Sequence, residues 1–560
     1  MRLLKKILVG FVAVICLGGS WSFVQDYFEI SRQLDIFSSV YKEVNQFYVD
    51  DIKPGELLKK GISGMLKNLD PYTVYYPDAE IEDYRLKHTG GEYGGIGASS
   101  FRKGDSIVIA DIFEGGPAAK AGLRIGDMLL EVNNRSLKNI DPDAVDELIK
   151  GQSGTSVRLK ISRLSQEMDF NIKREEIKIT NLPYYGMIND SVGYIKLDKF
   201  LQGCYDEMAN AVKALKKDSN MKALVFDLRG NGGGLVDQTV EILNLFIDKN
   251  VLLVTQKGKI SSANIKYVTN KEPLLGEIPM TILIDRNSAS ASEISAGNFQ
   301  DLDRAVIIGQ RSFGKGLVQQ TRPLSFGTQF KVTIAKYTTN SGRCVQALNY
   351  ASRHDDGSVD RVPDSLMKQF KTKNGRTVFD GSGVYPDRFI EPVNFSNITT
   401  SLMNKLLIFD YATVYRSKYD SIAAPQKFSL TDAEYDDFIN FLENKEYSYN
   451  TITENVFAVL KTTTKEEKYY NHLKDELDQL GAKLKHNKNE DLFNFKKEIK
   501  QLLEKEIVAR YYYNSGSFKF SFKHDDIIAD ALKVMADKSL YNMILKGEGN
   551  YNVIGKPLKD

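Results

Sequence analysis

Cysteine is scarce: Cys16, Cys204 and Cys344 are the only three in 560 residues. That excludes a disulfide scaffold and a cysteine-built zinc site. Cys204 and Cys344 could pair, but free buried thiols are the simpler expectation. Histidine is also sparse, with His88, His354, His472, His486 and His524; none falls between residues 190 and 340. Charge of one sign is not in excess. The formal net charge is +2, so no strong field points to nucleic acid. Nucleotide-binding loops are absent in form. "SFGKG" does not end in GK[ST], and "GNGGG" runs its glycines together where a dinucleotide loop spaces them.

A hydrophobic run clearly long enough to cross a bilayer is missing too. "MRLLKK" is followed by an apolar stretch from Ile7 to Gly19, and the uncharged run ends near Val24, a marginal length for a span. A basic head before a short apolar run is the pattern of an export signal. No Ala-x-Ala site follows, so residues 1–24 fit a removed signal and an uncleaved anchor equally. Ile15 is too bulky before Cys16 for a lipoprotein site.

The chain is too long for one core, so several domains are expected. Residues 25–83 read as a helical segment, with Phe37, Val40, Val44 and Phe47 at helical spacing and Pro54 near a second helix start. Residues 84–174 read as a compact β-rich module, with "SIVIADI", "MLLEVN" and "SVRLKISR" as strands. Residues 175–401 alternate strands ("VGYIKL", "KALVFD", "VLLVTQ", "MTILID", "AVIIG") with helical stripes such as Met208, Val212 and Leu215. This is the pattern of a sheet covered by helices. Residues 402–560 are lysine-rich and helical. They suggest a long hairpin interrupted at "GAKLKHNKNED", either a solvated helical surface or an appendage that guides substrate.

Chemistry concentrates at "MTILIDRNSASASEISAGNFQD". The strand ends near Asp285, and Asn287 or Ser288 can cap the following helix. Ser290 then lies near the first turn, close to unpaired N–H groups and the positive end of the helix dipole. Ser288 and Ser292 are rival nucleophiles. A serine needs a base, and the core offers no histidine, which disfavours a Ser-His-Asp triad. "RSFGKGLVQQ" offers Lys315 between Gly314 and Gly316. Burial favours the neutral amine that accepts a proton, and Gln319 can orient it. "DLRGNGGG" follows a buried strand ending at Asp227, and its open backbone at Gly232, Gly233 and Gly234 can present N–H donors to an oxyanion.

In order, "DPYTVYY", "GGIGAS", "EGGPAAKAGLRIGDMLLEVN", "LVFDLRGNGGG", "NSASASEISAGNFQD" and "SFGKGLVQQ" resemble the C-terminal processing peptidases, or tail-specific proteases, across residues 30 to 390. The resemblance implies a serine–lysine peptidase with Ser290 as nucleophile, Lys315 as base and Gln319 as its support. It places Glu293, Asp301 and Arg304 as supports of the site. With that reading, Ala291 N–H and an amide from Gly232, Gly233 or Gly234 complete an oxyanion hole. The 84–174 module resembles a PDZ domain, whose carboxylate-binding loop falls on Tyr93, Gly94, Gly95, Ile96 and Gly97. Successive N–H groups there can form a nest for a terminal carboxylate while a strand edge pairs with the peptide. An insertion delays "VYPD" until residues 384–387 and is a candidate lid or substrate wall.

The fold class expected is multidomain α/β: a helical N-terminal segment, a PDZ-like module, an α/β serine-protease core with covering helices, and a helical C-terminal region. The function expected is an exported serine endopeptidase acting at protein C-termini, without metal or cofactor, on the periplasmic side of a bacterial envelope. Its partners are proteins with accessible tails. A regulatory adaptor, N-terminal membrane attachment and a homodimer are further candidates, and nucleic acid is not. The alternative is a non-catalytic PDZ scaffold on a protease-like fold.

Overall fold

The computed structural model describes residues 27–81, 92–354, 356–447, 449, 451–484 and 488–555. The basic–apolar segment 1–24, Cys16, His88 and His486 lie outside them. Among the described residues no helix is long and apolar enough to cross a membrane. Cys204 and Cys344 are both free thiols, and burial pushes the Cys204 thiol up to about 12.

The chain divides into two units. The first joins residues up to 79 with residues 320–332. It has the expected helices, 27–47 and Pro54–Lys67, and a short strand, Val74–Tyr76, antiparallel to Gln329–Lys331.

The second unit holds the remainder. Its centre is a six-stranded sheet of Tyr184–Met187, Val192–Lys196, Ala223–Asp227, Met280–Ile284, Val306–Gly309 and Arg388–Phe389, in that spatial order. The first pairing is antiparallel and the rest are parallel. Every residue of Val192–Lys196, Ala223–Asp227, Met280–Ile284 and Val306–Gly309 is buried, as continuous apolar runs in a two-sided parallel sheet must be. Leu252–Gly258 is not part of this sheet. It pairs antiparallel with Ile265–Val268 and with Ala335–Thr338 in a second one.

Alternation along the strands sends side chains to two different layers. Leu224, Phe226, Ile282 and Ile307 pack with Met208, Val212, Ile242, Ile294 and Phe299 from the helices Cys204–Lys216, Val236–Leu243 and Ala291–Asp301. Val225, Leu283, Val306 and Ile308 pack with Ile527, Ile528, Ala531, Val534, Tyr541 and Ile544. These last residues belong to the helices Asp526–Ala536 and Lys538–Lys546. The end of the chain is therefore the second covering layer of the core sheet, not only a solvated surface. Among the described residues the expected long hairpin is replaced by shorter helices. The lysine-rich stretch forms the helices Ile452–Glu466, Lys474–Leu484, Lys488–Asn494 and Lys496–Ser521. Earlier helices of this region have their own core, with Tyr411, Tyr435, Phe438, Ile499, Leu503 and Ile507.

The β-rich module is a sheet ordered Ala98–Lys103, Ser106–Ile112, Met128–Val132, Ser156–Arg163, Gln166–Lys173, with the helices Pro117–Ala121 and Pro142–Ile149. Buried Asp127 accepts from Arg124 N–H at 2.7 Å and from Arg163 Nε at 2.7 Å. The helical region docks on this module. Phe409 meets Phe101 edge-on at 5.4 Å, Asp410 pairs with Lys103, and Asn514 Nδ2 donates to Asp111 Oδ2 at 2.8 Å. Gly126 lies against Thr413 with no room for a Cβ.

The insertion is tied to the end of the helix Ala291–Asp301. Its Arg376, fully buried, donates to Asp303 Oδ1 at 2.6 Å and Asp387 Oδ1 at 2.7 Å. Arg376→Ala leaves two buried carboxylates without their cation, so it destabilises folding by about 3–5 kcal/mol. Urea unfolding of the variant beside the parent checks this.

Candidate active site

The serine turn is built before the helix begins. Asp285, at the end of its strand, accepts from Gly230 N–H at 2.9 Å and from Asn287 and Ser288 N–H, each at 3.0 Å. The three serines then diverge. Ser288 is fully buried and donates to Leu228 O at 2.9 Å. Ser292 is fully buried and donates to Asn231 O at 2.8 Å. Ser290 is half-buried and stands at the N-cap of Ala291–Asp301 with φ 54° and ψ −110°. A non-glycine residue there carries backbone strain of about 1–3 kcal/mol, held only by its surroundings.

Those surroundings centre on Glu293, which is fully buried. Its Oε2 accepts from Ser290 N–H at 2.8 Å and from Lys315 N–H at 2.8 Å. Its Oε1 accepts from Ser312 Oγ at 2.6 Å and Gly314 N–H at 2.7 Å. Burial pushes the Glu293 carboxyl up, and these four donors pull against that. Both oxygens receive only donors, which is the arrangement of an ionised carboxylate. Tyr337 makes a second bridge. Its hydroxyl donates to Lys315 O at 2.9 Å and lies 3.1 Å from Ser290 O. Serine and lysine backbones are thus joined twice, at their N–H groups and at their carbonyls.

The glycines beside Lys315 are there for close approach. Gly314 has φ +93°, and a Cβ on it would strike Ala347. A Cβ on Gly316 would sit 2.9 Å from Gln346 N. Gly316 N–H donates to Gln346 Oε1 at 2.8 Å, and Ala347 N–H to Gly314 O at 2.9 Å. The start of the insertion therefore backs the lysine loop as a wall. Lys315 itself is half-buried. Gln319 Nε2 donates to Thr333 Oγ1 at 3.1 Å, so its amide is held by the neighbouring strand.

The glycine loop reaches the serine through Asn231, which is fully buried. Asn231 O accepts from Ala289 N–H at 3.0 Å as well as from Ser292. Its side chain donates to Leu197 O at 2.9 Å and accepts from Gly233 N–H at 2.8 Å. That last bond commits the Gly233 amide, which leaves it out of the oxyanion donors expected from the sequence. Gly233 has another reason to be glycine: with φ +101°, a Cβ would lie 2.8 Å from both Ser290 Cβ and Ala291 N. Gly232 is exposed, and its N–H and that of Ala291 have no acceptor among the described residues.

The other expected supports lie farther away. Asp301, at the opposite end of the 11-residue helix, pairs with Arg343 at 2.8 Å and accepts from Thr339 Oγ1 at 2.6 Å. Arg304 donates to Phe246 O and Ile278 O, both at 3.1 Å, and to Gly276 O. Both brace the far end of the helix and neither reaches the serine. Tyr337 and Asn231 were not singled out in the sequence. Asn231 had a signal in "GNGGG", as the one polar side chain inside a glycine run; Tyr337 had none.

In the β-rich module the five-residue loop is split. Tyr93, Gly94 and Gly95 lie in a strand paired with Glu175–Ile177, so they do not form one nest with the rest. Ile96 and Gly97 turn their carbonyls inward, to Ala118 N–H at 2.9 Å and Phe113 N–H at 2.8 Å; their N–H groups find no acceptor among the described residues. The edge strand Ala98–Lys103 follows, and Ser100 Oγ reaches Asp146 Oδ1 of the facing helix at 3.2 Å. Val145 and Ile149 of that helix are buried in the module's core.

Known proteins share these parts. Residues 191–350 match the model of peptidase family S41, residues 108–163 a PDZ domain, and residues 398–535 the "Probable PDZ-protease, C-terminal helical domain". A "Probable CtpA-like serine protease" of Staphylococcus aureus is 35% identical over 316 residues, 56% of this chain and 62% of that one. Its counterpart in Staphylococcus saprophyticus is 35% identical over 302 residues, 54% of this chain and 60% of that one. The chain thus spans about three fifths of these relatives' length. Among solved structures, a photosystem II D1 C-terminal processing protease is 26% identical with a TM-score of 0.33, covering 55% of this chain and 89% of that one. Ordered motifs, a strained serine at the end of a central strand, and the matched segments agree: the chain carries an S41 peptidase segment and a PDZ segment and is similar to CtpA-like serine proteases.

Proposed function

We propose that this chain is a serine endopeptidase that captures protein C-terminal tails on its PDZ domain and cleaves them at Ser290 with Lys315 as base. The observation that carries the reading is the difference among the three serines. Ser288 and Ser292 spend buried hydroxyls on backbone carbonyls, while Ser290 stands half-exposed on a strained cap, clamped to Lys315 through Glu293. In this reading Lys315 Nζ takes the Ser290 Oγ proton as Oγ bonds to the scissile carbonyl carbon. The carbonyl electron pair moves to oxygen, where Ala291 N–H and an amide of Gly232 or Gly234 receive it. The C–N bond then breaks, and the protonated lysine gives its proton to the leaving amine. Water, deprotonated by Lys315, releases the acyl group. Gln319 supports the lysine through the strand that holds its amide.

The matched S41 and PDZ segments and the export-type start of the sequence favour a place in the bacterial cell envelope, on its periplasmic side, either anchored or freed by signal removal. An adaptor and a homodimer remain candidate partners, without a particular surface assigned to either.

Ser290→Ala abolishes cleavage of an unfolded protein substrate, measured by gel and mass spectrometry beside the parent chain. Equal cleavage by both would remove Ser290 from its role, and cleavage by neither would favour the scaffold reading. Lys315→Ala and Lys315→Arg are both inactive while tail peptides still bind, because an arginine does not release its proton near neutral pH. Near-normal turnover by either, with folding intact, would sink the serine–lysine pairing.

Glu293→Gln puts an NH2 group where the carboxylate receives only donors. It lowers kcat by about 10²-fold with little change in KM, since Glu293 acts through the Ser290 and Lys315 backbones; steady-state kinetics on a peptide substrate checks the split. Amidating a tail peptide weakens its binding by roughly 1.5–3 kcal/mol, the strength of a charged hydrogen bond at the Ile96–Gly97 amides. Calorimetry with matched free-acid and amide peptides on the full chain reads this, and equal affinities would mean that the domain does not read C-termini.

A further inference from the structure

The glycine loop is gripped from the helical C-terminal region as well as from the core. Arg229 lies one residue before Gly230. Its guanidinium donates to Asp227 Oδ2 at 2.6 Å through Nη2 and at 3.0 Å through Nε. Asp227 is fully buried and also accepts from Tyr194 OH at 2.7 Å and Arg229 N–H at 2.8 Å. Arg229 Nη1 points the other way, to Asp525 Oδ2 at 2.7 Å, 296 residues along the chain. Asp525 divides its oxygens. Oδ2 holds Arg229, while Oδ1 accepts from Ile527 and Ile528 N–H at 3.0 and 3.1 Å as the N-cap of the helix Asp526–Ala536.

From Arg229 the path to the serine is short. Lys196 Nζ donates to Arg229 O at 2.6 Å, and Gly230 N–H is held by Asp285. Asn231 then carries Ala289 and Ser292 on its carbonyl, and Gly233 presses against Ser290. The contact between Arg229 and Asp525 borders a cavity of about 610 Å³, walled also by Asp111, Lys196, Asp285 and Asn514. Arg229 retains Asp227 if Asp525 loses its charge, so that loss does not leave an unpaired cation inside the fold.

We propose that Asp525 is a positioning residue of the active site: through Arg229 it holds the glycine loop 230–234 against Ser290, so the helical C-terminal region completes the catalytic geometry. The inference rests on the peptidase reading for its effect on turnover, but not for its effect on the loop. Asp227 holds Arg229 from the sheet, and among the described residues Asp525 is the carboxylate that accepts from Nη1.

Two substitutions separate this role from helix capping. Asp525→Asn keeps an Oδ1 for the cap but turns an NH2 toward Arg229. Asp525→Ser keeps a capping oxygen and is too short to reach the guanidinium. Hydrogen exchange followed by mass spectrometry on the full chain reads segments 228–236 and 526–536 separately. The expected result is faster exchange at 228–236 in both variants, unchanged exchange at 526–536, a kcat about tenfold lower and an unchanged KM. Unchanged exchange at 228–236 overturns the proposal whatever the kinetics. Exchange rising equally in both segments overturns it too, since Asp525 would then act only as a cap. Faster exchange at 228–236 alone, in a chain whose unaltered form cleaves no substrate, upholds the coupling and removes the peptidase reading instead.

Discussion

One buried carboxylate holds the serine and the lysine in a common frame. Glu293 takes the N–H groups of Ser290 and Lys315 on the same oxygen, each at 2.8 Å. A side chain on Ser290 or Lys315 can rotate, but the backbones that launch them cannot drift apart without taking a donor from a buried carboxylate. A hydrogen bond to a charged group contributes about 1.5–3 kcal/mol, the same size as the strain it opposes at the Ser290 φ of 54°. The same oxygen therefore sustains an unfavourable serine backbone and fixes the origin of the proposed base. Tyr337 repeats the constraint at the two carbonyls, so serine and lysine are held as one rigid pair.

Space imposes the second constraint. Gly233, Gly314 and Gly316 each lie where a Cβ would overlap the backbone or side chains of a neighbouring segment. The glycine loop consequently packs against the serine turn, and the lysine loop against residues 345–347. This density lets short main-chain hydrogen bonds do the positioning, and it leaves the hydroxyl of Ser290 as the group not consumed by packing. Ser288 and Ser292 show the opposite outcome two residues to either side, with their hydroxyls closed onto carbonyls.

Much of this was legible in the residues. The helix-covered sheet follows from the alternation of strands and helical stripes, and the serine and lysine stand out as candidates at a strand end and in a glycine-flanked turn. Symmetric "SASAS" does not by itself choose among its three serines; the family resemblance singles out Ser290, and the hydroxyls of Ser288 and Ser292 are buried on backbone carbonyls. The link between Ser290 and Lys315 was equally invisible, because Glu293 acts on backbone N–H groups that no side-chain motif reports. Asn231 was passed over as part of a loop. Tyr337 lies 47 residues from Ser290 on a strand of the second sheet, where a tyrosine reads as ordinary core. Asp301 and Arg304 are expected to support the site, but their contacts lie at the far end of the serine helix. The resemblance to a PDZ carboxylate loop implies one nest over residues 93–97, whereas pairing with Glu175–Ile177 draws the first three of them into a strand.

The lysine-rich end was the least legible part, for a physical reason. Its helices mix charge with spaced apolar residues, a composition shared by solvated appendages and by covering layers, and only the identity of the buried face separates the two. The sheet decides the matter. Val225, Leu283 and Ile308 point away from the helices that carry the serine, and a parallel sheet cannot leave that face in water. Ile528, Ala531, Val534 and Ile544 cover it. With the C-terminal helices there, the first cap, Asp525, meets the chain just after the strand Ala223–Asp227, where it leaves the sheet for the glycine loop. A carboxylate at that point meets Arg229. The same region also grips the PDZ domain through Phe409 and Asn514. The helical C-terminal region thus touches the PDZ domain through Phe409 and Asn514 and the start of the glycine loop through Asp525, on different helices.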